Sequence, residues 1–410
     1  MGSDSGGSLK RSLSLPLITF YGLGTILGAG IYVLIGKVAG ISGIYAPVAF
    51  LVAAIIAFFT AFSYAELSSR YPLSAGEALY VEKAFSRRWL SAAVGWSVVL
   101  TGIVSAGTMV NGFVGYLNIF IELPAWLTIT VLVIGLGVLS AWGISESVGT
   151  AAVVTLVEVF GLILVLFMAG DSLKEFPNRW REMVPPLSGG VWLGITLGAF
   201  LAFYAFIGFE DMVNVAEEVQ NPSRNLPLSI FLALGIATLL YMLVALVSVL
   251  SLPLDLLSAS DAPLATVIEH KGGYSPISIG LISLVAVVNG ALVQIIMASR
   301  VVYGMSCQDM APGLFSKVNK RTQTPIRATL FITLILLVLA LWLPLVTLAK
   351  ATSFIILLVF ALVNLSLCLI KLKHEINPNS FVNYPIFIPI LGFILCLGLL
   401  VLQVLSGYGR

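Results

Sequence analysis

The chain has 410 residues, of which 59% are hydrophobic and only 10% are charged. Soluble domains carry about 25% charged residues, so the apolar surface of this chain needs lipid as its solvent. The net charge of +2 argues against a nucleic-acid partner, which demands basic stripes.

Chemistry-bearing residues are sparse. Cys307, Cys368 and Cys396 are scattered and form no CxxC pattern. They read as small buried apolar residues. The histidines, His270 and His374, both fall in predicted loops, which leaves little for zinc to bind. There is no nucleophile–base set, no phosphate loop ending in Lys-Ser/Thr, and no metal or cofactor motif. The run GLGTILG has glycines at dinucleotide-like spacing, but it lies inside an apolar run with no strand before it. An enzyme is not expected.

In chain order, residues 1–11 open with a Ser/Gly-rich stretch that predicts a disordered N-terminus. Lys10 and Arg11 precede an apolar run that lacks a signal-peptide cleavage site. Crossing a hydrocarbon core of about 30 Å takes about 20 apolar residues. Eleven runs qualify, near 15–36, 44–69, 89–117, 124–143, 147–170, 192–216, 228–251, 276–304, 326–343, 346–371 and 386–406. The Trp89–Ile121 stretch is longer than the core needs and predicts tilt or projection past it. With the N-terminus inside, inner segments hold twice as many Lys and Arg as outer ones, which favours that orientation. An odd number of spans then puts the C-terminus outside.

Two inner connections, Arg70–Arg88 and Gln308–Arg327, are polar and punctuated by Pro and Gly. The outer segment 171–190 separates the first five spans from the next five. The expected organisation is a first repeat over 12–170, a second over 191–372, and an additional span within 373–410.

The first span reads GLGTILGAGIYVLIG over 22–36. Its glycines fit close helix packing, and they also fit a break at Gly28-Ala29-Gly30. A break would free N–H groups to face a negative ligand group. The sixth span reads AFLAFYAFIGFEDMVNVAEEVQNPSRNLP over 199–227. Aromatics surround Gly208, and Glu210 and Asp211 enter earlier than a simple span permits. Interrupted segments at corresponding positions of two halves point to a carrier's binding site.

Glu158 sits in the middle of the fifth span with no other charge nearby. Acidic side chains at that depth cost about 2.5–3.5 kcal/mol on the insertion scale. A structural hydrogen bond or a proton or cation relay would each account for it, and intramembrane ionisable groups usually line pathways. Glu66 ends the second span and is expected to face an inner vestibule. Asn289, with Gly290 and Gln294 on the eighth span, fits either an interhelical bond or a site wall. Glu217, Glu218 and Arg224 read as a solvated cap at an inner helix end.

Four motifs, in order, resemble the amino acid–polyamine–organocation superfamily. They are GTILGAGIYV, YPLSAGEALYVEKAF at 71–85, FYAFIGFEDMVNVAEEVQNPSRNLPLSI at 203–230 and ASRVVYGMSCQDMAPGLFSKVNKRTQTPIRA at 298–328. The similarity covers about 15–370 and runs towards bacterial and archaeal broad-range members and the cationic amino acid carriers. It implies an all-α polytopic membrane protein with a 5+5 inverted repeat, as in the bacterial leucine transporter, with helices 1 and 6 broken. About 11 transmembrane helices are expected where the family commonly has twelve.

By that resemblance a substrate carboxylate would meet N–H groups at Gly28, Ala29 and Gly30, with Thr25 and Ile26 alongside. The ammonium would meet carbonyls near Phe203, Tyr204, Ala205 and Ile207, next to Gly208, with Tyr204 or Phe206 as an aromatic lid. Asn289 is added as a pocket candidate. Some members place a lysine at the position of Glu158; the charge inversion leaves proton coupling a hypothesis. The implied function is amino acid transport by alternating access, coupled to protons or Na+ or run as exchange, in the plasma membrane. An inorganic cation or polyamine carrier, or a non-transporting nutrient sensor, are the alternatives. Oligomeric state and coupling ion are left open by the sequence.

Overall fold

The computed structural model describes residues 11–28, 30–73, 76–142, 148–272, 275–319, 321–373 and 381–408, with backbone alone for 148–151, 272 and 408. The described residues fold almost wholly as helices. In lipid no water satisfies exposed backbone groups, so a helix, which bonds itself, is the stable spanning form.

The helices in order are α1 Leu15–Leu27, α2 Gly30–Ser42, α3 Ala46–Arg70, α4 Gly76–Phe85, α5 Arg88–Leu117, α6 Ala125–Trp142, α7 Val148–Ala169 and α8 Phe176–Met183. They continue as α9 Gly189–Ala202, α10 Pro222–Ser251, α11 Leu254–Ala259, α12 Pro263–Gly272, α13 Ile277–Cys307, α14 Ile326–Trp342, α15 Leu345–Leu372 and α16 Phe387–Tyr408. Between α9 and α10 lie 3₁₀ segments at Phe203–Phe206 and Phe209–Glu218. Taking α1 with α2 as one interrupted span, and α9 with the two 3₁₀ segments as another, the described residues form eleven spans. Nine helical stretches are long and apolar enough to cross a membrane by themselves; Leu15–Leu27 and Ile326–Trp342 are shorter.

Polar side chains within the spans are quieted locally. Thr19 donates to Leu15 O, Thr108 to Val104 O, Thr352 to Leu348 O and Ser366 to Leu362 O, each one turn back. Such bonds satisfy a hydroxyl without a partner helix. The outer faces are apolar: Val131, Ile134 and Val138 on α6, and Leu330, Leu334 and Val338 on α14, recur at helical spacing and are exposed. In water such faces would aggregate; in lipid they are solvated. Exposed Trp126, Trp142 and Trp342 sit at helix ends, where indole suits the interface.

The packing pairs each early span with a later one. The 3₁₀ segment Phe209–Glu218 lies against α1, and α2 against α9. Next, α3 packs on α10, α5 on α13 and α6 on α14. The cross pairs match as well, α1 with α10 and α9 with α3. Five spans per set is an odd number, so the second set runs reversed relative to the first. This is the inverted 5+5 arrangement. The added helix α16 packs on α15, α3 and α9.

Several sequence expectations need correction. The connections contain helices that the hydropathy pattern did not disclose: α4 within Arg70–Arg88, α8 within 171–190, and α11 and α12 before α13. They are too short or too polar to register as spans. His270 therefore lies on α12 rather than in a loop; His374 and the segment 1–10 lie outside the described residues. Cys368 and Cys396 are buried as expected, but Cys307, at the last turn of α13, is exposed. Glu66 faces no vestibule. It is fully buried, paired with Arg70 and Lys371 at 2.5 Å each, and it accepts the Tyr384 N–H at 2.9 Å.

Candidate functional site

The first span breaks after Leu27. Gly28 leaves helical geometry with φ 8° and ψ −133°, although its N–H still reaches Gly24 O at 3.2 Å. Helix α2 restarts at Gly30, and Ala29 lies outside the described residues. The sixth span tightens at Phe203–Phe206, extends at Ile207 (φ −68°, ψ 138°) and turns at Gly208 with φ +126°. An L side chain is strained at that φ, so glycine is required there. Both interruptions leave helix-terminal backbone groups without intrahelical partners.

The two breaks are in contact. A Cβ built on Gly30 would lie 2.6 Å from Ala205 Cα, and one on Gly208 would lie 2.4 Å from Thr25 O. The Thr25 hydroxyl lies 2.9 Å from both Gly208 O and Gly22 O and can donate to either. The Tyr241 hydroxyl donates to Ile26 O at 2.8 Å, taking up a carbonyl freed near the end of α1. Glu210 folds back to accept the Gly208 N–H at 2.8 Å.

Beside the breaks is a small cavity lined by Tyr21, Gly24, Thr25, Met109, Thr155, Asn289, Gly290, Val293 and Gln294. Of the residues expected at the site, Thr25 and Asn289 line it. Gly28 borders it, since a Cβ there would be 3.6 Å from Met109 Cε. Phe203, Tyr204, Ala205, Phe206 and Ile207 are buried behind it and do not line it. The Tyr204 hydroxyl lies 3.1 Å from the Ser105 hydroxyl and from Ser105 O on α5. Phe206 packs edge-on to Phe50 and Tyr241, with centroids 6.4 and 5.2 Å away. Asn289 Oδ1 is buried and has no hydrogen-bond partner, an orphan acceptor that costs free energy unless something meets it.

Glu158 is fully buried on α7. Its backbone carbonyl accepts the Tyr32 hydroxyl at 2.5 Å, and the Tyr116 hydroxyl donates to Tyr32 O at 2.6 Å. Its carboxyl is close enough to act electrostatically on the Tyr32 and Tyr241 hydroxyls. One turn earlier, Thr155 lines the cavity and lies 3.2 Å from Phe20 O. The side chain of Thr155 fills the space that Gly24 leaves open, so α7 closes directly on α1.

Sequence reasoning passed over Tyr21, Met109, Thr155 and Val293. The one usable signal was that Thr155 stands three residues before Glu158, on the same helix face.

An inverted repeat whose two broken helices meet beside a cavity is the architecture of a secondary carrier, in which sites form at discontinuous helices. The chain matches the amino acid permease family model over residues 13–408 and belongs to that family, within the amino acid–polyamine–organocation superfamily. It is an integral membrane protein of the permease type. Among its relatives is the branched-chain amino acid permease BcaP of Bacillus subtilis, 30% identical over 96% of this chain and 88% of that one. The vacuolar cationic amino acid transporter 2 of Arabidopsis thaliana is 32% identical over 90% of this chain, which spans 61% of that protein. A methylthioribose transporter of Bacillus subtilis is 28% identical over 95% of this chain and 88% of its own length.

Proposed function

We propose that this chain carries amino acids across the plasma membrane by alternating access, with the N-terminus cytoplasmic. The observation that carries this reading is the contact between the two broken helices, Gly30 against Ala205 and Gly208 against Thr25. Interrupted helices offer N–H groups at one break and carbonyls at the other. Opposite half-helix dipole ends suit the two charges of a zwitterion. In this reading the backbone at Gly28, Ala29 and Gly30 takes the carboxylate, with Thr25 and Ile26 alongside. Carbonyls of Phe203, Tyr204, Ala205 and Ile207 take the ammonium, Phe206 and Gly208 shape the same bend, and Asn289 offers its orphan oxygen. The repeats occupy 12–170 and 191–372.

The described cavity lining carries no charged side chain, which supports neutral amino acids as substrates. Relatives named for branched-chain and for cationic amino acids keep both classes in the test. Glu158, buried beside the α1–α7 contact, is the coupling group in this reading; its proton would set whether a negative charge stands at mid-membrane.

The test is counterflow in proteoliposomes loaded with each of the twenty amino acids, with methylthioribose and common polyamines as further solutes. Saturable counterflow of an amino acid is the expected result. Counterflow of only a polyamine or an inorganic cation, or binding with no counterflow, would replace this reading with one of its alternatives.

A further inference from the structure

On the N-terminal face of the bundle, helix α4 packs against the 3₁₀ segment Phe209–Glu218. That contact buries three carboxylates. Glu77 of α4, with Glu210 and Asp211 at the end of the sixth span, are each under 5% exposed. Glu77 lies within Coulomb range of both Glu210 and Asp211. The ion pairs of the described residues include none of the three. The cations on and next to α4, Lys83, Arg87, Arg88 and Lys373, are exposed.

The neutral partners are few. The Tyr64 hydroxyl on α3 donates to Glu77 Oε1 at 3.0 Å, and the Gly208 N–H serves Glu210. Gln294 on α13 reaches Asp211 from the central cavity. Two polar atoms at the cluster are buried with no partner: Asp211 Oδ2, and the hydroxyl of fully buried Tyr80, which feels the charge of Glu77. The contact is also tight. Gly76 sits at φ +47°, and a Cβ there would lie 2.7 Å from Asn214 Oδ1. The Tyr64 ring is packed edge-on by Tyr80, Phe209 and Phe360. Ser91 on α5 and Lys373 after α15 bond carbonyls of α4, at Ala78 and Ala84.

Three ionised carboxylates in a shared apolar seat repel one another and lose their hydration, so at least one must bind a proton while the seat is closed. We propose that Glu77, Glu210 and Asp211 form a shared proton-binding site, separate from Glu158, whose occupancy holds α4 against the end of the sixth span. Burial pushes the Glu77 carboxyl up from its ordinary value, with Tyr64 pulling weakly the other way. A group with a raised value in the docked form stabilises that form below it and loses the stabilisation as pH rises through it. Docking of α4 should therefore weaken towards alkaline pH. Because α4 covers the end of the sixth span, proton release there would loosen one face of the bundle.

The test is hydrogen exchange of the full-length protein in nanodiscs from pH 6 to pH 9, with labelling times scaled for base catalysis. It uses no substrate, so it stands apart from the transport reading. Protection of residues 76–85 should fall at least tenfold as pH rises, as expected when opening releases one proton. Glu77→Gln and Asp211→Asn keep the shape and remove the charge, and each should flatten that dependence. Should one variant fail to fold, the other suffices. Wild-type protection unchanged by pH, or variants with the wild-type pH dependence, would overturn the proposal. So would Na+ or K+, but not choline, restoring protection at pH 9, which would make this a cation site.

Discussion

Two glycines at the breaks have opposite demands. Gly208 combines φ +126° with a neighbouring carbonyl 2.4 Å from where a Cβ would sit. Gly208→Ala should cost about 1–3 kcal/mol from backbone strain alone, and more from pushing α1 away. Thermal unfolding in detergent would read it as a clearly lowered Tm. Gly28 has room, with the nearest atom at 3.6 Å. Gly28→Ala should unfold near the wild-type temperature and lose substrate affinity at least tenfold in a binding titration. Wild-type affinity in a folded Gly28→Ala protein would remove Gly28 from the carboxylate site. Glu158→Gln isolates charge from shape, and it should flatten the pH profile of counterflow. An unchanged profile would leave Glu158 with only a packing role.

At the scale of elements, a polar seam joins α15 to α3 beside α16. Asn364 on α15 donates to Thr60 Oγ1 at 3.0 Å and Phe360 O at 2.9 Å, and accepts from Ser63 at 2.6 Å. Gly392 on α16 lets the backbone close on the same amide, since a Cβ there would lie 2.6 Å from Asn364 Oδ1. Interhelical hydrogen bonds in membranes average about 0.6 kcal/mol and reach about 1.7. Asn364→Leu should therefore lower stability by about 1–2 kcal/mol in thermal unfolding, and Gly392→Val should release α16. Limited proteolysis of the connection before α16 would report the second.

Nearby, Glu66→Gln strands Arg70 and Lys371 beside a neutral amide. Breaking a buried pair costs about 3–5 kcal/mol, so this variant should be the least stable of the set in the same unfolding assay. Its network also fixes the connection to α16, through the Tyr384 N–H and through Lys371 on Asn383 and Tyr384 O.

The elements were unevenly legible in the sequence. Spans announce themselves because lipid demands long uncharged runs, and the eleven ranges fall on helices within a few residues. The two breaks were visible as Gly28–Gly30 and Gly208, since glycine clusters are rarely placed mid-span without a reason in packing or geometry. The short helices α4, α8, α11 and α12 were not visible, because their polar faces erase the hydropathy signal. Glu66 looked like a solvated helix end because its partner Lys371 lies about 300 residues away in sequence. Met109, Val293 and Tyr21 reach the cavity through helix rotation and interhelical register, which no single run encodes. The cavity lies beside α1, α5, α7 and α13 rather than along Phe203–Ile207, and motif similarity alone placed weight on the latter.

Across the whole molecule, the proposed alternating access requires a contact that closes one side and parts in each cycle. A contact placed to do this joins the two repeats by backbone alone. Leu13, ahead of α1, pairs with Val219 in a parallel bridge just after the sixth span. The Leu13 N–H donates to Glu218 O at 3.0 Å, and the Gln220 N–H donates to Leu13 O at 2.9 Å. Both side chains are buried. The bridge joins the start of the first span to the end of the sixth, on the face where the chain begins, so opening that face must stretch it. Paired strands sit about 4.8 Å apart, within the Cα range of about 4.4–6.8 Å that a disulfide accepts. A Leu13→Cys, Val219→Cys protein, with Cys307, Cys368 and Cys396 replaced by serine or alanine, should therefore cross-link on mild oxidation. The oxidised form should lose counterflow at least tenfold while still binding substrate from the opposite side, and dithiothreitol should restore turnover. Full turnover in the cross-linked protein would mean that the bridge stays shut throughout the cycle and that the moving parts lie elsewhere in the bundle.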